Sequence, residues 1–295
     1  MKKVAVIGAG PSGITAIKNF IDEGFDVTAF ERCDGVGGNW RFNDPSGHSS
    51  VFETTHIISS KYTSFYEDYP LPDDASDYPS HKELLSYFDG YAEHFDIKKN
   101  IKFGTEVLSC KQLPNSRWLL KYKHLEGNDE ITLEFDALVV CNGHHHVPRY
   151  PQYKGEFSGE YIHSHDYKRA APFENKRVLV IGGGNSACDV AVETSRISQE
   201  TSLSWRRGYH LVPKFMYGLP ADVFAKRSRW IPQFLRIPFM KYMLERYQGK
   251  NEDIGLPKVT NKMLATHPTV NSDLYNAIRH GKVKPRPDIE SFSEN

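Results

Sequence analysis

Val4 to Gly13, VAVIGAGPSG, limits the fold of this chain more than any other stretch, because an apolar run turns there on Gly8, Gly10 and Gly13. Such a run reads as a buried parallel strand, and the glycines let the backbone turn tightly and approach a pyrophosphate at the next helix N-terminus. Ile14, Ile17, Phe20 and Ile21 follow at helical spacing, and Gly24 is placed to stop that helix. A second strand, Asp26 to Phe30, ends in Glu31, at the distance where an acidic side chain accepts hydrogen bonds from an adenosine ribose. Glycine triplets are common. Strand, glycines, helix, strand and acid in this order point to a dinucleotide cradle rather than to a βαβ unit that binds nothing.

The pattern recurs later in the chain. Arg177 to Ile181 reads as a strand, Gly182, Gly184 and Ala187 take the fingerprint positions, and a helix is expected to about Ser195. The next strand, Thr201 to Trp205, ends at the position that Glu31 holds in the first unit: Gly8 to Glu31 is 23 positions and Gly182 to Arg206 is 24. Arg206, backed by Arg207, has replaced the acid. A carboxylate suits a free ribose hydroxyl and a guanidinium suits a 2′-phosphate, so the first cradle reads as FAD or NAD and the second as NADPH. Two solvated surface arginines are the competing reading.

With 295 residues, 39% of them hydrophobic, the chain can fill two cores. Pro148 and Pro151 stiffen the connector, which places a FAD-binding domain at 1–150 and an NADPH-binding domain at 151–295. The expected fold class is therefore α/β, with two Rossmann-like domains. Within the first, Ser80 and Glu83 form a capping box ahead of an apolar helical face through Phe95. Short alternating runs at Ile101 to Leu108, Arg117 to His124 and Ile131 to Phe135 read as a small antiparallel meander, about 101–135. Ala137 to Cys141 reads as another buried parallel strand, and Arg32 to Trp40 as a glycine loop that wraps a diphosphate and sets Trp40 against a ring.

Equal numbers of basic and acidic residues, 37 of each, give no electrostatic case for a nucleic-acid partner. Locally the balance differs: Arg206 to Lys250 holds ten Lys/Arg against Asp222 and Glu245. A helical insertion is expected at about 208–275, cut into short helices by Pro232 and Pro238, with one more helix at Val270 to His280. Packing over the second domain is its first reading, and peripheral membrane contact through the basic and aromatic mixture is the second. The four cysteines lie far apart without a CxxC pair, so a reducing, cytoplasmic compartment is the expectation. His144, His145 and His146 point in different directions on extended backbone, and no metal site is expected.

Phe157, Gly159, His163 and Tyr167 spell FxGxxxHxxxY, which resembles the signature of the flavin-containing monooxygenase family. GAGPSG, GVGGNW, CNGHHHVP, GGGNSACD and SWRRG look like that family's other blocks in the same order, over nearly the whole chain. The resemblance implies FAD, NADPH and oxygen, and a C4a-hydroperoxyflavin that passes one oxygen atom to an amine nitrogen or a sulfide. It implies FAD contacts at Gly8, Ala9, Gly10, Pro11, Ser12, Gly13, Glu31, Arg32, Gly38, Asn39 and Trp40, and NADPH contacts at Ser186, Ala187, Asp189, Ser204, Arg206 and Arg207. Tyr167, where related Baeyer-Villiger enzymes usually carry Trp, favours heteroatom oxygenation. Many members have an asparagine where Ile58 precedes Ser59, Ser60 and Lys61, and isoleucine cannot donate a hydrogen bond to a flavin peroxide. Ile58 and Ser59 are thus the candidate flavin-lining positions, and an uncoupled oxidase or flavin reductase releasing hydrogen peroxide stays open. So does a non-catalytic nucleotide-binding protein, because members of the family continue past this point and a fragment or truncated relative is expected. The implied partners are a small nucleophilic substrate and O2, with homodimeric assembly left open.

Overall fold

The computed structural model describes residues 1–263 and 268–293. Residues 264–267, inside the expected insertion, and 294–295, at the end of the second expected domain, lie outside the described residues. The chain forms two compact units, of which the first comprises Met1–His56, Tyr66–Ala75 and Pro79–Pro148. Ile57–Phe65 and Ser76–Tyr78 pack with the second, which continues from Arg149.

In the first unit, β1 (Lys3–Ile7) buries Val4, Ala5 and Val6 completely, which fixes it as the centre of a sheet. α1 (Pro11–Asp22) packs Ile14 and Ile17 beneath it and stops at Gly24, whose φ of +78° permits the left-handed turn. The N–H groups of Gly24 and Phe25 donate back to the carbonyls of Ile21 and Phe20, the Schellman pattern. β2 (Asp26–Phe30) returns parallel to β1. α2 (His81–His94) starts with the capping box of Ser80 and Glu83 and turns Leu84, Tyr87, Phe88 and Tyr91 inward. Tyr66 stacks on Tyr87 and Tyr69 meets Tyr91 edge to face, and the Tyr66 hydroxyl donates to the Pro11 carbonyl at 2.8 Å, tying the aromatic layer to the start of α1.

The run expected as one strand, Ile101 to Leu108, is two. β3 (Ile101–Lys102) joins β2 in parallel, Gly104 turns the chain at φ +59°, and β4 (Thr105–Gln112) begins the antiparallel meander with β5 (Trp118–His124) and β6 (Glu130–Phe135). The meander seats Leu120, Tyr122 and Phe135 against Phe30. β7 (Ala137–Val140) completes a parallel sheet of order β3-β2-β1-β7, the strand order of a mononucleotide-binding half. β7 is only partly buried, contrary to the sequence reading: Val140 is 60% exposed.

The second unit repeats the theme with β8 (Arg177–Ile181), α3 (Asn185–Thr194) and β9 (Glu200–Ser204). Beyond β9 come β10 (Leu211–Val212), a small hairpin of β11 (Phe215–Met216) and β12 (Leu219–Pro220), then α4 (Ala221–Arg227) and α5 (Gln233–Gln248). Pro238 does not break α5 as the sequence reading expects. The carbonyl left without an N–H belongs to Phe234, on an exposed side where water can serve it. The helix expected from Val270 is shorter. β13 (Thr269–Val270) pairs in parallel with β10, and α6 covers only Leu274–Arg279. Asn271 accounts for the late start, because its Oδ1 accepts the N–H groups of Asp273 and Leu274, as side chains at helix starts do. β14 (Val283–Arg286) adds to β9, giving a parallel sheet β14-β9-β8 around Leu203, Trp205 and Leu274.

Candidate cofactor sites

The first cradle lies where β1 turns into α1. Gly8 has φ +95°, and a Cβ there would sit 2.5 Å from the Cys141 carbonyl oxygen; a Cβ on Gly13 would sit 2.0 Å from the Gly8 carbonyl oxygen. Only glycine fits either position, since real Cβ atoms do not approach that closely. Gly10 faces Gly38, 3.7 Å from its own ideal Cβ to the Gly38 Cα, and the Gly37 N–H donates to the Ala9 carbonyl at 3.1 Å. Two bare stretches of backbone therefore meet, one from GAGPSG and one from GVGGNW. The N-terminus of α1 has no side-chain cap and no acid in its first turn, so its leading N–H groups are left for an anion. Pro11 stands at the first helical position, where a missing N–H costs nothing, and Ser12 is exposed beside it.

Glu31 is buried and already engaged: its Oε2 accepts the Ala9 N–H at 2.6 Å and its Oε1 the Cys33 N–H at 2.8 Å. A carboxylate has further lone pairs, so these bonds fix its orientation without saturating it. Asn39 spends its side chain on Ser50, accepting from the Ser50 N–H at 2.8 Å and hydroxyl at 2.9 Å, which holds the Gly38–Trp40 turn against the following loop. Arg32 lies within 2.6 Å of His48 Nε2 and 3.9 Å from Glu106. Burial, and then the Arg32 charge, push the His48 pKa down, so His48 serves as an acceptor for the guanidinium.

In the second cradle Gly182 has φ +139°, Gly183 packs against the Tyr209 ring, and nothing lies within 4 Å of Gly184 on its Cβ side. α3 likewise starts on a glycine, Gly184, with no side-chain cap and no acid in its first turn. Ser186 is exposed and Ala187 half-buried in that turn. Arg206 and Arg207 are exposed, and among the described residues neither has an acidic partner; Arg207 lies over the Tyr209 ring at 5.3 Å. Both turns thus end at uncapped helix N-termini of the kind that takes an anion, and among the described residues neither guanidinium is paired with a carboxylate.

Ser204 and Asp189, the other two implied NADPH contacts, each have a partner within the protein. The buried Ser204 hydroxyl donates to the Pro287 carbonyl at 2.7 Å, so it secures the sheet's edge. Asp189 accepts from Asn271 Nδ2 at 2.6 Å; burial pushes its pKa up to about 6 against the pull of Lys214 and that hydrogen bond. Tyr167 is buried and donates to Glu193 Oε2 at 2.7 Å, anchoring the FxGxxxHxxxY segment to α3.

Ile58 and Ser59 are half-buried in the loop 57–65. The Ser59 Oγ accepts from the Ser64 hydroxyl at 2.6 Å, which leaves the Ser59 proton to donate onward. Sequence reasoning missed what holds this loop. Asp222, in the first turn of α4, accepts the Ser60 N–H at 2.8 Å, the Ser60 hydroxyl at 3.0 Å and the Thr63 hydroxyl. Burial opposes its charge, but those bonds outweigh burial and hold its pKa below the ordinary carboxylate range. Asn271 was the second omission. Its signal, an Asn two residues before an Asp and an apolar run, was legible as a helix start.

The flavin-binding monooxygenase-like family matches residues 1–295. Mouse flavin-containing monooxygenase 5 is 38% identical over 312 residues, covering 99% of this chain, and rabbit dimethylaniline monooxygenase 2, described as N-oxide-forming, is 36% identical, covering 100%. The chain spans 57% of the length of each. Among solved structures, the S-allyl-L-cysteine S-oxygenase of Allium sativum superposes with a TM-score of 0.65 at 28% identity, over 70% of this chain and 51% of that one. FAD and NADPH are the cofactors that go with such a match. The chain belongs to the flavin-binding monooxygenase-like family.

Proposed function

We propose that this chain carries the two nucleotide cradles of an NADPH-dependent flavoprotein monooxygenase that places one atom of O2 on an amine nitrogen or a sulfide sulfur. The observation that carries the reading is the exchange of Glu31 for Arg206 between two otherwise repeated fingerprints. In this reading Gly8, Gly10 and Gly13 bring backbone N–H groups to the FAD pyrophosphate, Glu31 holds its ribose, and Gly38 and Trp40 close the loop over it. Arg206, with Arg207 beside it, selects the 2′-phosphate of NADPH, while Ser186 and Ala187 bring the open α3 N-terminus to its pyrophosphate. The bound flavin supplies electron transfer and oxygen activation, and NADPH supplies the electrons. Ser59 offers a hydroxyl proton, oriented by Ser64, and Asp222 keeps its loop closed.

The names of two relatives, one N-oxide-forming and one an S-oxygenase, support a soft nucleophile as the substrate class. A second reading rests on Ile58: with no donor at that position the chain acts as an NADPH oxidase that releases hydrogen peroxide. Peroxide yield per NADPH, with and without small amines and sulfides, separates the two. Yield that falls as oxygenated product forms supports the monooxygenase, and near-complete release with every substrate supports the oxidase.

A further inference from the structure

The glycine turn of the second cradle carries an aromatic ring that its fingerprint does not call for. Past β9 the chain bends at Arg206 and Arg207, and Tyr209 follows, half-buried. Its ring lies against Gly183, where an added Cβ would sit 2.3 Å from one ring carbon and 2.4 Å from another. Gly183 lies outside the left-handed region, so the ring rather than the turn excludes a side chain there. Trp205, which is fully buried, meets the same ring edge to face with centroids 5.4 Å apart. The backbone on either side of these contacts is pinned. The Thr269 hydroxyl donates to the Gly183 carbonyl at 2.8 Å, and Asn251 Nδ2 donates to the Tyr209 carbonyl at 2.9 Å. Gly208 presses the bend against the next segment, since a Cβ there would sit 2.3 Å from the Lys258 carbonyl oxygen. Tyr209 is therefore fixed by its surroundings before any ligand arrives. The Arg207 guanidinium lies over this ring, 5.3 Å from its centroid, while the residue stays exposed. A ring face attracts a guanidinium, and holding a long side chain in advance removes part of the ordering cost that binding otherwise carries.

We propose that Tyr209 is a positioning residue for nucleotide choice: its fixed ring steadies Arg207 so that this guanidinium joins Arg206 in gripping a 2′-phosphate. This role presupposes the NADPH reading of the second cradle. Calorimetric titration of the purified chain with NADP+ and with NAD+ tests it without any turnover. The wild type should bind NADP+ at least about tenfold more tightly than NAD+. Tyr209→Leu should cut that preference about threefold by weakening NADP+ alone, the scale of one exposed cation–π contact, and Tyr209→Phe, which keeps the ring, should leave it intact. Arg207→Ala should cut the preference at least as far. Tyr209→Leu/Arg207→Ala should go no further than Arg207→Ala alone, because the ring acts through that guanidinium. A wild type that prefers NADP+ beside a Tyr209→Leu variant with the same preference overturns the role of Tyr209 and leaves the NADPH reading standing. So does a variant that weakens both nucleotides alike, since the ring then only supports the fold, or a double variant that loses more than Arg207→Ala. A wild type that binds the two nucleotides equally overturns the NADPH reading and this role with it.

Discussion

The two cradles share a plan and differ in how firmly they are built. In the first, β1 is fully buried at three successive positions, the third glycine leaves no room for a methyl group, and the acid is held by two backbone N–H groups. In the second, β8 exposes Leu179 at 44%, Ala187 replaces the third glycine, and the arginines stand free in solvent. A carboxylate that must accept from a neutral hydroxyl gains from being held in position before the hydroxyl arrives. A guanidinium that must catch a dianionic phosphate gains from reach. On the proposed reading, the pre-arranged first cradle suits a resident cofactor and the more open second one suits a co-substrate that comes and goes.

The sharpest way to break this contrast is at the third fingerprint position. Gly13→Ala should cost at least about 3 kcal/mol and abolish flavin retention, because its Cβ meets the Gly8 carbonyl. Ala187→Gly should cost only about 0.5–1 kcal/mol, the ordinary helix penalty. Chemical denaturation with bound flavin quantified checks both, and similar losses in the two variants would erase the distinction.

Asp222→Ala comes next, at about 2–3 kcal/mol, since it leaves the buried Ser60 N–H without an acceptor. Hydrogen exchange should rise in the peptide 57–65 and stay unchanged in the GAGPSG turn. Asp222 has a lowered pKa, so its contribution is present above the ordinary aspartate pKa and is lost as pH falls further, through the depressed value in the folded chain.

The next effect, smaller than the Asp222 loss, concerns Asp189 and has the opposite sign. Its pKa is raised from 3.8 to about 6, so between those values the folded chain binds more protons, and stability falls as pH rises through that window. Asp189→Asn keeps an acceptor for Asn271 and removes the buried charge. It should stabilise the chain above pH 6 by on the order of 1–2 kcal/mol and have little effect near pH 4, read as the difference in melting temperature at the two pH values.

Both fingerprints, the capping box at Ser80 and the meander were legible in the sequence, because each rests on local rules: glycine conformations, helix periodicity and strand alternation. Local rules failed where distant partners decided. Pro238 passes through α5 because packing of Ile237, Met240 and Leu244 holds the helix on both sides of it. Val270 is a strand residue because Leu211 and Val212 offer it a ladder. Asp222 lies 162 positions from Ser60, and no spacing rule joins them.

Anaerobic titration of the FAD-reconstituted protein with NADPH and with NADH, followed at the flavin absorbance, tests the central assignment most directly. NADPH should bleach the flavin at concentrations at least about tenfold below those NADH needs, and Arg206→Ala should bring the two within about twofold by weakening NADPH alone. A chain that takes up no flavin, or a wild type that responds equally to both nucleotides, would contradict it.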